Sequence, residues 1–247
     1  MNAWRIISLF ALISLLATGS GRAQQGPGQR RRLVDGQGRV YYRGPLRLTL
    51  GGGVALYSGD LTSGLADNFP GPSLSLGLLY GLRPHLLLGA EGSYFRMGAR
   101  DQLRERGLAF EGTNGMGTVF VRYELLRDAS RYAAGSQNGP PPLVQPYLKA
   151  GLGLLLYDPK SYLGRARPTA STSYLAPERN DYPALAGVAP LAAGLSVQAT
   201  EQLRLTLEGA YYLTTTDHLD DVSTRGNPAQ NDGFGTVELK VEYRVQR

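Results

Sequence analysis

Glu238, Lys240, Glu242 and Arg244 place charges of both signs at every second position of the final segment, with Val237, Leu239, Val241, Tyr243 and Val245 between them. Side chains alternate across an extended strand with period two, so this segment has one ionic face and one apolar face. The chemistry open to the ionic face is pairing. The same parity in earlier segments adds Glu91, Arg122, Glu124, Lys149, Arg204 and Glu208, making five acids and five bases. An isolated buried charge is costly, so charges gathered in a dry space must pair. A balanced set of this kind reads as a structural salt-bridge network.

Catalysis has little to draw on. The chain has two histidines and no cysteine, which removes thiolate metal sites and disulfides. His85 follows Pro84 in a tight turn and reads as a solvated turn residue. His218 lies in Asp217-His218-Leu219-Asp220-Asp221, where a general base would need an oriented partner and a defined target. No Ser/His pair or second Asp pair accompanies it, so no catalytic residue is assigned and the chain reads as non-enzymatic. Asp217, Asp220 and Asp221 could offer oxygen ligands to Ca²⁺, but an EF-hand's spacing and glycine are missing. Asp side chains capping backbone N–H groups of a turn are the simpler reading. No phosphate-cradling loop and no zinc-helix motif occurs, so no cofactor or metal is expected.

Eight stretches carry the period-two signal that would position these residues: 46–57, 73–82, 86–95, 116–125, 147–157, 191–199, 203–213 and 235–247. In each, one parity is rich in Leu, Val and Tyr. The other holds Gly, Ser, Thr or charge. Lengths of about ten residues suit tilted membrane strands. Residues 83–85 and 200–202 form tight turns, whereas 58–72, 97–115, 158–190 and 214–234 are long. The long stretch 126–144, with its Pro140-Pro141-Pro142 spacer, interrupts the alternation of short and long. The expectation is an all-β, eight-stranded, antiparallel up-and-down transmembrane β-barrel with a filled polar lumen. An eight-strand barrel is only wide enough for side chains to fill it, which disfavours a conducting pore.

Tyrosines provide an independent check. With strands running up and down, Tyr80, Tyr123 and Tyr243 fall on outward faces at one interface, and Tyr94 and Tyr211 at the other. A soluble exported sandwich or lipocalin-like barrel is the alternative, in which that agreement of depth is coincidence.

Residues 1–23 have the plan of a secretory signal: Arg5, an apolar run over 6–17, and small residues at Gly21-Arg22-Ala23. The run is short for a spanning helix. Removing it takes away Arg5 and Arg22 and no acid, lowering the formal charge of +6 by two. Residues 24–45, with Arg30-Arg31-Arg32 amid Gly, Pro and Gln, read as a flexible basic periplasmic arm, and residues 46–247 as the barrel. The expected location is the outer membrane of a Gram-negative bacterium with both termini periplasmic. The surroundings are then outer-membrane lipid and lipopolysaccharide, with no nucleic acid.

Three phrases carry a resemblance. Tyr57-Ser58-Gly59-Asp60-Leu61 ends the first stretch, Pro146 to Gly153 lies in the fifth, and Thr214-Thr215-Thr216-Asp217-His218-Leu219-Asp220-Asp221-Val222-Ser223 follows the seventh. Over roughly residues 46–247 the chain resembles a family of small outer-membrane barrels of the Bacteroidota that includes the PorG component of type IX secretion and gliding machinery. That resemblance implies an anchor, one that tethers a periplasmic ring built from a lipoprotein and its soluble partner. Related barrels also serve as general surface proteins. The chain departs from the usual aromatic ending, since it closes on Arg244-Val245-Gln246-Arg247, with Tyr243 as the nearest aromatic residue. Competing expectations are a surface-exposed structural or adhesive barrel acting through its external loops, and a small porin.

Overall fold

The computed structural model describes residues 33–59, 61, 62, 64–103, 105, 107–128, 132, 142–222 and 231–245. The expected signal segment, Arg30 to Arg32, Asp60, Pro140 and Pro141, Ser223 and the last two residues lie outside them.

Two very short strands, β1 (Leu33–Val34) and β2 (Val40–Tyr41), form a hairpin. Its turn is tied by Asp35, which accepts from the backbone N–H groups of Gln37 and Arg39 at 2.9 Å each. Part of the segment read as a flexible arm is therefore folded. Eight longer strands follow: β3 (Leu46–Ser58), β4 (Asn68–Gly81), β5 (Leu86–Arg100), β6 (Leu108–Glu124), β7 (Val144–Leu163), β8 (Ala184–Gln198), β9 (Leu203–Thr214) and β10 (Gly233–Arg244). Each pairs antiparallel with its neighbours, and β10 closes on β3 to complete a barrel. A 3₁₀ turn, Leu65–Asp67, sits between β3 and β4.

Up to the level of Tyr94 the alternation runs as the sequence suggests. Leu50, Leu74, Leu76, Val119, Leu152, Leu205 and Leu239 point outward and are exposed, Leu239 at 69%. Tyr80, Tyr123 and Tyr243 stand outward near the short turns, and Tyr94 and Tyr211 outward near the long loops. An apolar belt this large is far beyond what a water-soluble monomer exposes. Hydrocarbon solvates it, and the closed ladder leaves no strand edge unpaired within it. The wall is that of a transmembrane barrel.

Several strands are longer than expected. β7 has 20 residues and β6 has 17. Apart from Val144–Pro146 at the turn end of β7, the extra length lies at the loop end, and there the pattern inverts. Above Tyr94 the outward positions become Arg96, Glu111, Asp158 and Lys160, while the inward ones are apolar: Phe95, Met97, Phe110 and Tyr157. Outside the hydrocarbon the wall faces water, so polar groups belong outside and the interior is filled as in a soluble sheet. The outward apolar parity ends at this level, although the ladder continues.

Candidate functional site

The lumen is filled in three tiers. Nearest the short turns, Arg47 Nη1 lies 3.2 Å from Glu124 Oε1 and 3.4 Å from Glu242 Oε2. Arg122 donates to Glu242 Oε1 at 2.5 Å and to Ser196 Oγ at 2.8 Å. Arg204 sits 3.6 Å from Asp128 and 4.0 Å from Glu124. The Arg122 guanidinium stacks 3.6 Å above the Tyr147 ring, which joins this tier to the next.

In the middle tier Lys240 Nζ reaches Glu91 at 2.6 Å, Glu208 at 2.9 Å and Glu238 at 3.2 Å. Lys149 Nζ reaches Glu208 at 2.7 Å and Glu91 at 3.3 Å. The Tyr147 hydroxyl donates to Glu208, and Ser73 and Ser75 donate to Glu238. Inward Gly51 makes room, since a Cβ there would come within 2.8 Å of Lys240 Cγ. Glycine at this point lets the lysine side chain cross the axis. The void left among these groups is about 10 Å³, marginal even for one water.

The top tier, above the charged tiers, is apolar. Phe234 stacks on Tyr212 at 4.5 Å and on Phe95 at 4.7 Å, and Tyr57 meets Phe110 edge-on at 4.8 Å. Leu61, Leu219 and Val222 come down from the loops onto this cluster. Two phrases that are far apart in the chain therefore meet. The Tyr57 hydroxyl lies 2.6 Å from both Asp220 Oδ2 and Asp232 Oδ1. Asp220 Oδ1 accepts from Val222 N–H and Asp232 Oδ2 from Leu219 N–H, each at 3.0 Å. A Cβ on Gly59 would overlap the Asp232 carboxylate and the Tyr57 ring, so only glycine permits this approach. Asp221, at φ 60°, accepts from Ser161 Oγ at 2.9 Å and from Glu178 N–H at 2.8 Å. Burial raises its pKa above the usual aspartate value, and the Glu178 charge adds to this against the lowering effect of its hydrogen bonds.

Asp217 is only partly buried. His218 Nδ1 lies 4.0 Å from Glu178 Oε2. His85 is more tightly held than a solvated turn residue: Nδ1 is 2.8 Å from the Glu124 carbonyl oxygen and the ring stacks on Tyr123 at 5.7 Å.

Of the ten expected lumen charges, nine are brought together. Arg244 is not, and this is a correction: it is exposed at the end of β10, its parity carrying it past the barrel mouth into solvent. Arg47 takes a place in the network instead. It shares the inward parity of Thr49 and Gly51, so the alternation that located the others could have found it. Asp128, Ser73, Ser75, Ser196 and Thr206 also take part, the four hydroxyls lying on the inward parity of their strands. The first lies beyond a strand end, and the hydroxyls are ordinary on a polar face.

The turn end is capped as well. Tyr41 bridges to Tyr132 of the connection between β6 and β7, and both rings are buried. Arg39 and Arg127 lie 5.1 Å and 4.7 Å from the Tyr132 ring centre. Asp128 turns in beneath the lumen to Arg204, and Gln145 Nε2 donates to the Leu126 carbonyl at 3.0 Å.

No family model and no curated protein matches the chain. Among solved structures it is similar to Neisserial surface protein A, at 15% identity and TM-score 0.46, covering 82% of this chain and 99% of that one. It is also similar to Ail, the attachment invasion locus protein of Yersinia pestis, at 12% identity and TM-score 0.44, covering 81% and 97%. A third is OprG of Pseudomonas aeruginosa, at 9% identity and TM-score 0.41, covering 81% and 96%. These likenesses concern the fold alone.

Proposed function

We propose that this chain is a non-enzymatic outer-membrane barrel that docks periplasmic components of a type IX-like secretion apparatus, with both termini on the periplasmic side. The observation that carries the reading is a closed barrel with a folded platform at its turn end. Among the described residues three tiers of side chains fill the lumen, which supports placing the work of the molecule at its two ends. At the turn end the β1–β2 hairpin, Tyr132 and residues 125–128 form a surface that includes Arg39, with Arg127 tucked against the Tyr132 ring, and the Pro140-Pro141-Pro142 spacer belongs to the same connection. The resemblance of residues 57–61 and 214–223 to the PorG family supports a ring lipoprotein and its soluble partner as what docks there. Deletion of residues 130–142 is expected to abolish recovery of those ring proteins in a crosslinking pull-down from intact envelopes. Unchanged recovery would sink the docking site.

A second reading is favoured by the order at the loop end. Residues 164–183 pack onto the barrel: Tyr182 meets Tyr157 edge-on at 5.9 Å, and Leu175 N–H donates to the Ser161 carbonyl at 2.8 Å. A firm outer surface of this kind suits a structural or adhesive barrel. Cells lacking the protein that secrete normally but bind surfaces poorly would decide for it.

A further inference from the structure

One cleft lies outside both the lumen and the turn end. It is about 680 Å³ in volume, on the outside of the wall, at the loop-side rim of the apolar belt, between β4, β5, β6 and β7. Tyr94 forms its floor at the level where aromatic rings meet the membrane interface. Arg96 and Lys160 stand on the outward parity just above, and Arg167 reaches in from the loop after β7. The pairing of β4 with β5 shifts register between Pro70 and Ser73, beside the cleft.

Its charge is uneven. The lining holds three cations, with Glu111 and Asp158 as its carboxylates. Glu111 accepts from the Tyr174 hydroxyl and keeps its charge, which acts on Arg96, itself hydrogen-bonded to Tyr94, so the lining carries a small net positive charge. Lys160 Nζ lies 5.5 Å from the Tyr174 ring centre and the Arg167 guanidinium 5.5 Å from that of Phe69. An aromatic face attracts a cation without neutralising it. Among the described residues no ion pair ties Arg96, Lys160 or Arg167 to a carboxylate within 4 Å.

The wall below the cleft is unusually smooth. Gly92 faces Gly117 across β5 and β6, and Gly115 faces Tyr94, all on the outward parity, with Gly92 and Gly115 sunk between their larger neighbours and Gly117 partly exposed. A Cβ added at Gly115 would meet nothing within 4 Å. Leu74 and Leu76 flank this strip on one side and Leu152 and Leu154 on the other, all exposed. A cationic cleft at the interface, continuous with a shallow apolar trough descending into the hydrocarbon, is complementary to an amphiphile with an anionic head.

We propose that this cleft binds a phosphorylated lipid of the loop-side leaflet, with the phosphate between Arg96, Lys160 and Arg167 and an acyl chain lying along the glycine strip. Guanidinium and ammonium groups suit phosphate oxygens through charge-assisted hydrogen bonds. The inference rests on the barrel spanning a membrane and is independent of any docked protein. In function it would fix the depth and rotation of the barrel in its leaflet.

The test is native mass spectrometry of the full-length barrel released from dodecyl maltoside micelles. The micelles are doped with diphosphoryl lipid A, with the same lipid after enzymatic dephosphorylation, or with inorganic pyrophosphate in place of lipid. Retention of the phosphorylated lipid alone is expected, reduced at least tenfold by Arg96→Gln with Lys160→Gln. Gly115→Leu leaves every charge in place and is expected to reduce retention by blocking the trough. A heat-modifiable gel shift checks that each variant is folded, and should the double variant not fold, Gly115→Leu decides alone. Equal retention of dephosphorylated lipid, or indifference to the variants, would overturn the proposal. Saturable retention of pyrophosphate that lipid does not displace would make it a site for free phosphate and overturn the lipid assignment.

Discussion

The Tyr57 hydroxyl lies 2.6 Å from Asp220 Oδ2 although 163 positions separate the two residues. Tyr57 lies one residue from the end of the first barrel strand and Asp220 belongs to the last long loop, so this contact fastens the loop over the apolar top tier beside the β10–β3 seam. Its neighbours, Gly59 below Asp232 and Leu61 beside Leu219 and Val222, belong to the same joint.

Tyr57→Phe removes the hydroxyl while keeping the ring on Phe110. A hydrogen bond to a charged group contributes about 1.5–3 kcal/mol, and the loss is expected to loosen residues 214–222 locally. Hydrogen exchange should rise in those residues with little change in the urea midpoint of the barrel. Uniform acceleration along all strands would show that the joint closes the barrel itself.

Lys240→Met tests the middle tier. It leaves Glu91, Glu208 and Glu238 sharing only Lys149 and hydroxyl donors. Removing one partner of a buried ionic set costs about 3–5 kcal/mol. Urea refolding into detergent should show that loss, and Lys240→Met combined with Glu91→Gln should recover part of it. A stability change below ~1 kcal/mol would mean that water screens the tier.

The two faces of the wall are ranked by a pair of substitutions. Leu205→Arg puts a charge into hydrocarbon near mid-belt and is expected to cost about 2–4 kcal/mol. Glu238→Gln keeps an acceptor for one of the two serines that hold it and is expected to cost about 1–2 kcal/mol. The opposite order in the same refolding assay would place the leucine rows inside.

Asp221 governs a pH dependence of the loop. Its pKa is raised in the folded protein by burial and by Glu178, so the folded loop binds a proton more readily than the unfolded one. Its contribution is therefore fully present below the unfolded aspartate pKa and is lost as pH rises through the raised value. Exchange protection at Glu178 N–H, taken as wild type minus Asp221→Asn, should fall over that window as pH increases. A difference that grows with pH would reverse the sign of the shift.

What was legible in the sequence was whatever depends on alternation alone. One greasy and one polar parity, repeated eight times with short and long connections, is enough to specify the strands, the barrel and the sense of its faces, because period two is a local property of an extended backbone. The parity rule also located Lys240, Glu208 and their partners, since a charge on the inward face has nowhere else to go. Arg47 obeyed that rule and was passed over because its strand is otherwise neutral. Arg244 obeyed it and left the network because the barrel ends before its side chain can turn in.

Tertiary structure alone decided the rest. The height at which lipid gives way to water inverts the pattern above Tyr94, turning Phe95, Met97 and Phe110 into core. That height is a property of the assembled wall and not of any one strand. The pairing of Lys240 with Glu91, the meeting of Tyr57 with Asp220 and the outward cleft of Arg96, Lys160 and Arg167 each depend on strand register around a closed cylinder. Register brings distant residues to one level, and a linear pattern of polarity carries no record of which levels coincide.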